Sequence, residues 1–127
     1  MRVLIIADEE SRALYDHYDS SRLRDVDLIL SCGDLSASYL EFLVTMGHAP
    51  VVYIMGNHDD RFRAHPPEGC ICVEERVFNY KGLRIAGLGG SLRYKPDGIY
   101  MYTEEEQKKR VQKLKRQIQK YHGIDVF

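Results

Sequence analysis

Three short apolar runs constrain this chain most. Residues 3–7 (Val-Leu-Ile-Ile-Ala), 28–30 (Leu-Ile-Leu) and 51–55 (Val-Val-Tyr-Ile-Met) are each too short for a buried helix and read as buried strands. Between the first two, residues 11–18 place Leu14 and Tyr18 four apart, as on one helix face. Between the second and third, residues 38–45 carry Leu40, Leu43 and Val44 at helical spacing. Strand, helix, strand, helix, strand implies parallel strands joined by helical crossovers, an α/β fold.

The pattern changes after Met55. Residues 61–68 are polar, hold Pro66-Pro67, and read as loop. Residues 70–73 form a short strand, and residues 77–80 and 83–88 flank Lys81-Gly82 as a hairpin. A long segment then runs to Tyr102 and carries Tyr94, Tyr100 and Tyr102. It is either a functional cover or a surface flap. Thr103-Glu104-Glu105-Glu106 is a capping box that opens a helix with Val111, Leu114, Ile118 and Tyr121 on its apolar stripe. The Lys and Arg on its other face read as a solvated surface. Gly123 ends that helix, and residues 124–127 read as the opening of another strand.

All of this fits one domain over residues 1–127. The formal net charge is −1, so nucleic acid is not expected as a partner. No run reaches membrane-spanning length, so no membrane partner is expected. The start lacks a signal-peptide core, and the cysteine count is odd (Cys32, Cys70, Cys72), which points to reduced thiols and a cytoplasmic location. Cys70-Ile71-Cys72 has no second ligand pair for zinc and reads as small residues on a strand.

The chemistry lies at the strand ends. Asp8 follows the first strand, Gly33-Asp34 the second, and Gly56-Asn57-His58-Asp59 the third. In a parallel sheet the carboxyl ends share one edge, where ligand sites collect. Clustered carboxylates need a cation, and Asp and Asn oxygens suit Mn²⁺, Mg²⁺ or Fe²⁺, with imidazole favouring Mn, Fe or Zn. Two ions roughly 3.5–4 Å apart would clamp a phosphoryl group and activate a bridging water. Asp34 is central and bidentate, the natural bridge. His58 is placed to give a proton to the leaving oxygen, with Asp59 orienting its ring.

With these residues in view, the chain resembles the calcineurin-like metallophosphoesterases. Asp8, Gly33-Asp34 and Gly56-Asn57-His58-Asp59 match that family's first three motifs in order and spacing. The resemblance implies a four-layer αββα sandwich, a sheet pair flanked by helices. It implies a dinuclear site in which Asp8 binds one metal, Asp34 bridges both, Asn57 binds the second, and His58 and Asp59 assist hydrolysis. It implies phosphomonoester or phosphodiester substrates, nucleotides among them, and divalent metal, Mn²⁺ first, with Fe²⁺, Zn²⁺ and Mg²⁺ as alternatives.

Two departures stand out. The family's first motif is Asp-x-His, whereas this chain has Asp8-Glu9-Glu10. Glu10 either supplies an oxygen ligand or faces solvent and opens the helix, and His17 is a weaker candidate. The later histidine motifs are absent, and neither His65 nor His122 carries their context. The expectation is therefore a domain incomplete at its C-terminus, carrying about half the ligand set (Asp8, Asp34, Asn57, Glu10). Exposed sheet edges would favour homo-oligomers. The competing reading is a degenerate phosphoesterase-like binding or scaffold module.

Overall fold

A computed structural model describes residues 1–16 and 19–127. Four strands, β1 (Val3–Ile6), β2 (Leu28–Ser31), β3 (Val51–Tyr53) and β4 (Ile71–Cys72), form a parallel sheet in that order. Side chains alternate along each strand. Ile29, Val51 and Tyr53 join a core cluster with Leu40 and Leu43 of helix α1 (Ala37–Gly47). Their neighbours Leu28, Val52 and Val73 join Ile85 in a second cluster on the opposite face. The β2 and β3 runs are apolar on both faces because both faces of the sheet are covered there, whereas β1 leaves Val3 and Ile5 exposed on one face.

Helix α1 begins where Ser36 accepts the Tyr39 N–H and ends at His48, whose φ of 53° turns the chain toward β3. The first expected helix does not form in the described residues. Residues 11–16 make hydrogen-bonded turns, with the Leu14 and Tyr15 amides on the Ser11 carbonyl and the Asp16 amide on the Arg12 carbonyl. His17 and Tyr18 lie outside the described residues. Asp19 then caps a separate 3₁₀ turn, Ser20–Arg22. Tyr15 is fixed by ring contacts with Tyr39 and Phe42, centroids 5.5 and 5.0 Å apart.

The hairpin forms as expected from β5 (Arg76–Tyr80) and β6 (Leu83–Gly87). Lys81 and Gly82 both have positive φ (50° and 87°), the conformation that a two-residue hairpin loop requires. The capping box is complete at helix α2 (Glu104–Lys120): Glu106 N–H donates to Thr103 Oγ1, and the Glu106 carboxylate accepts the Thr103 N–H. Leu114 and Ile118 of α2 pack on Val77 and Ala86 of the hairpin in a third cluster. The helix's buried row begins at Arg110, four residues before Leu114, and Tyr121 is 40% exposed. Within the long tyrosine segment, β7 (Ser91–Leu92) and β8 (Met101–Tyr102) pair in parallel.

Residues 124–127 lie along β6, with Val126 bridging Ile85 in parallel. Asp125 ties this segment down by accepting from the Arg84 amide (2.8 Å) and guanidinium (3.0 Å). Those bonds hold its carboxyl at about 2. The folded pKa is depressed, so the pair's contribution is present above the ordinary carboxylate range and is lost as pH falls through about 2. A carbon-detected NMR titration should place the Asp125 midpoint near 2 and return it toward ~3.9 in Arg84→Gln.

Candidate metal centre

The ends of β1, β2 and β3 are stitched edge to edge. Cys32 N–H donates to Ile6 O, Asp8 N–H to Gly33 O, and Ile54 N–H to Ser31 O. Asp8 and Asp34 therefore leave adjacent strands side by side, both with φ near 60° (61° and 62°). That left-handed conformation is uncommon outside glycine, though Asp tolerates it better than most residues. It turns each aspartate out of its strand at the sheet's carboxyl edge.

Gly56-Asn57-His58-Asp59 closes as one turn, with Asp59 N–H on Gly56 O. Phe62, three residues on, is buried edge-on against Tyr53 and anchors the exit. The turn grips β2 twice. His58 N–H donates to Asp34 Oδ1 at 2.9 Å, and Asp34 N–H donates to Asp59 Oδ2 at 2.8 Å. The same Asp59 oxygen accepts Gly56 N–H, also at 2.8 Å. Gly33 and Gly56 lie backbone against backbone, and a Cβ on Gly56 would sit 2.0 Å from Asp34 Oδ1. Glycine at 56 is thus a condition for the Asp34 carboxylate to lie where it does.

Asp59 lies beneath the turn rather than beside the His58 ring. Its side chain is 1% exposed and faces inward, and its Oδ1 has no hydrogen-bond partner. Its hydrogen bonds run through Oδ2 to two backbone amides, and none reaches the His58 ring. Burial pushes its pKa up, against the opposing pull of the Gly56 and Asp34 N–H groups. His58 is exposed, with Nε2 3.3 Å from Asn57 Nδ2. Asn57 Nδ2 also donates to the Tyr94 hydroxyl at 3.1 Å, so the tyrosine segment touches the site. Sequence reasoning left that segment's role open, and no local pattern links Asn57 to a residue 37 positions away. Glu10 accepts from the Ser36 hydroxyl, the group that caps α1.

Among the described residues, no donor hydrogen-bonds the Asp8 carboxylate, Asp34 Oδ2 or Asn57 Oδ1. These are hard oxygen donors and fit a divalent cation in kind. They do not make a closed shell in number: no group of three or more His, Cys, Asp or Glu among the described residues is placed to hold a metal ion.

The family model for calcineurin-like phosphoesterases matches residues 1–126. The chain belongs to this family. The calcineurin-like phosphoesterase assignment covers almost every residue, including the hairpin and α2, so it does not rest on the strand-end motifs alone. A search among curated proteins finds no match. Calcineurin-like phosphoesterases generally use divalent metals, which agrees with the oxygen donors at this edge. The other clusters fit structural roles. Cys70 and Cys72 pack toward the α1 cluster, and burial pushes the Cys70 thiol up to about 12. No helix among the described residues is long and apolar enough to cross a membrane.

Proposed function

We propose that this chain is a metal-dependent phosphoester hydrolase whose dinuclear site draws on Asp8, Asp34 and Asn57, with Glu10 as a further donor. One observation carries this reading: the Asp34 carboxylate and the Asn57–His58 turn are locked together by the His58 N–H bond at 2.9 Å. A turn that needed only to reverse the chain would not need a carboxylate held beneath an exposed histidine. When bound, the cations polarise the phosphoryl oxygens and lower the pKa of a bound water. Asp34 would hold cations through its free carboxylate oxygen, and Asp8 and Asn57 would each supply a further oxygen donor. His58 gives a proton to the leaving oxygen. Asp59 holds the Asp34 and Gly56 amides and so fixes the geometry without touching substrate. The three core clusters support an αββα layering, with α1 and α2 outside and the two sheets between. The four donors are about half of a two-metal set. A second copy is one source of the rest, since β1 is an outer strand with Ile5 66% exposed.

A second reading, a phosphoesterase-like binding module without turnover, is favoured by the Glu10 carboxylate, which is engaged with Ser36. Calorimetric titration of Mn²⁺, run beside Asp34→Asn and with bis-p-nitrophenyl phosphate hydrolysis followed in parallel, separates the two. The hydrolase reading expects saturable binding, weakened at least about tenfold in Asp34→Asn, with turnover lost alongside it. Binding without turnover selects the module. Absence of both removes the metal from either account. Light scattering in the same buffer reads the oligomeric state.

A further inference from the structure

Met55, the residue before the Gly56–Asp59 turn, is held at both its peptide groups. Its N–H donates to Glu74 Oε2 at 3.0 Å, and its carbonyl accepts the Gly90 N–H at 2.7 Å. The other Glu74 oxygen accepts the Gly89 N–H at 2.7 Å and pairs with the Arg110 guanidinium. Arg110 is 7% exposed. It also donates to Gly89 O (2.9 Å), Gln107 Oε1 (2.8 Å) and Glu75 Oε1 (2.7 Å), and its guanidinium carbon lies 3.8 Å from the Tyr102 ring centroid. The junction is tight: a Cβ on Gly89 would fall 2.0 Å from Met55 O and 2.6 Å from Glu74 Oε2.

A buried ion pair is expensive to desolvate and is a poor choice if only stability is at stake. Here its bonds go to two stretches of backbone that both lead to the site. Met55 carries the Asn57–His58 turn. Gly89 and Gly90 launch the segment whose Tyr94 hydroxyl accepts from Asn57 Nδ2. Both partners of the Asn57–Tyr94 contact are thus set out from one carboxylate and its counter-ion.

We propose that Glu74 and Arg110 are a positioning pair that fixes the separation between the Asn57–His58 turn and Tyr94, making Tyr94 a wall of the site. This rests on the phosphoesterase reading for its meaning, but its geometry can be tested apart from that reading. The test is a double-mutant cycle of Glu74→Gln and Tyr94→Phe. It is followed by the Asn57 side-chain NH₂ resonances in ¹⁵N NMR of the metal-free chain, and by kcat and KM with Mn²⁺ and bis-p-nitrophenyl phosphate. Glu74→Gln keeps the shape of the carboxylate and removes the charge that holds Arg110. If it does not fold, Arg110→Lys, which keeps charge but loses the fork, takes its place in the cycle.

The expected result is non-additivity. Tyr94→Phe moves the Asn57 resonances in the wild-type background and moves them little once Glu74 is changed. The kcat falls about tenfold in either single variant, with little further loss in the double. Equal Tyr94→Phe shifts in both backgrounds, or Asn57 resonances unmoved by Glu74→Gln, would overturn the proposal. A wild-type chain without turnover would count against the phosphoesterase reading, while the NH₂ cycle would still decide the positioning role.

Discussion

Asp59→Ala should lower the melting temperature by roughly 10–20 °C. Its Oδ2 accepts two backbone amides, Gly56 N–H and Asp34 N–H, each at 2.8 Å, inside a side chain that is 1% exposed. Alanine leaves both donors without a partner at about 1–3 kcal/mol each. At this chain length, roughly 4 °C follows from each kcal/mol. Asp59→Asn should fall between wild type and Asp59→Ala. Its remaining oxygen can still accept both amides, but its NH₂ group then occupies the position where Oδ1 already lacks a partner. Thermal denaturation followed by circular dichroism gives the order directly. An Asp59→Ala chain that melts like wild type and loses only turnover would favour the histidine-orienting role for Asp59 over the amide-holding one.

Gly56→Ala should remove the site while Gly82→Ala spares it. A Cβ at position 56 meets Asp34 Oδ1 at 2.0 Å, Asp34 Cγ at 2.4 Å and Asp34 N at 2.7 Å. The carboxylate cannot swing aside without giving up the His58 N–H. Overpacking of this kind costs about 1–3 kcal/mol or more, and here the displaced group is the central donor. Mn²⁺ binding by calorimetry should therefore be lost even in chains that still fold. Gly82 has a φ of +87°, and nothing lies within 4 Å of its absent Cβ. Alanine there carries only the backbone strain of a positive φ, about 1 kcal/mol, with Mn²⁺ binding unchanged. If Gly56→Ala bound Mn²⁺ as tightly as Gly82→Ala, the Asp34 carboxylate would not be the donor.

Much of the framework could be read from residue order because its causes are local. Strand alternation, the Thr103 cap and the Lys81-Gly82 turn each depend on neighbours within a few positions. The strand-end residues could be placed on one edge for the same reason: parallel order follows from alternation, and the edge follows from parallel order. What could not be read was decided across long separations. Asp59 and Asp60 are adjacent acids, and nothing between them tells which one turns inward. That depends on an amide 25 residues earlier. Glu10 meets Ser36 across 26 positions. Arg110 looked like one more charge on a basic face, although its spacing to Leu114 and Ile118 put it on the buried row. Only Glu74 and Glu75, more than 30 residues back, explain its burial. For the segment from Ser11, two residues at helical spacing satisfy a periodicity without requiring a helix, and residues 11–16 form hydrogen-bonded turns instead.

The single Asp59 oxygen shared by the Asp34 and Gly56 amides has a kinetic consequence. Neither amide can be freed by a rotation that leaves the other in place, because both depend on the same acceptor. A rotation of the Asp59 side chain frees the Asp34 and Gly56 amides at once, so hydrogen exchange through that motion should expose the two amides together. A cation held by Asp34 and Asn57 would oppose that rotation, and the two amides should exchange more slowly with Mn²⁺ present.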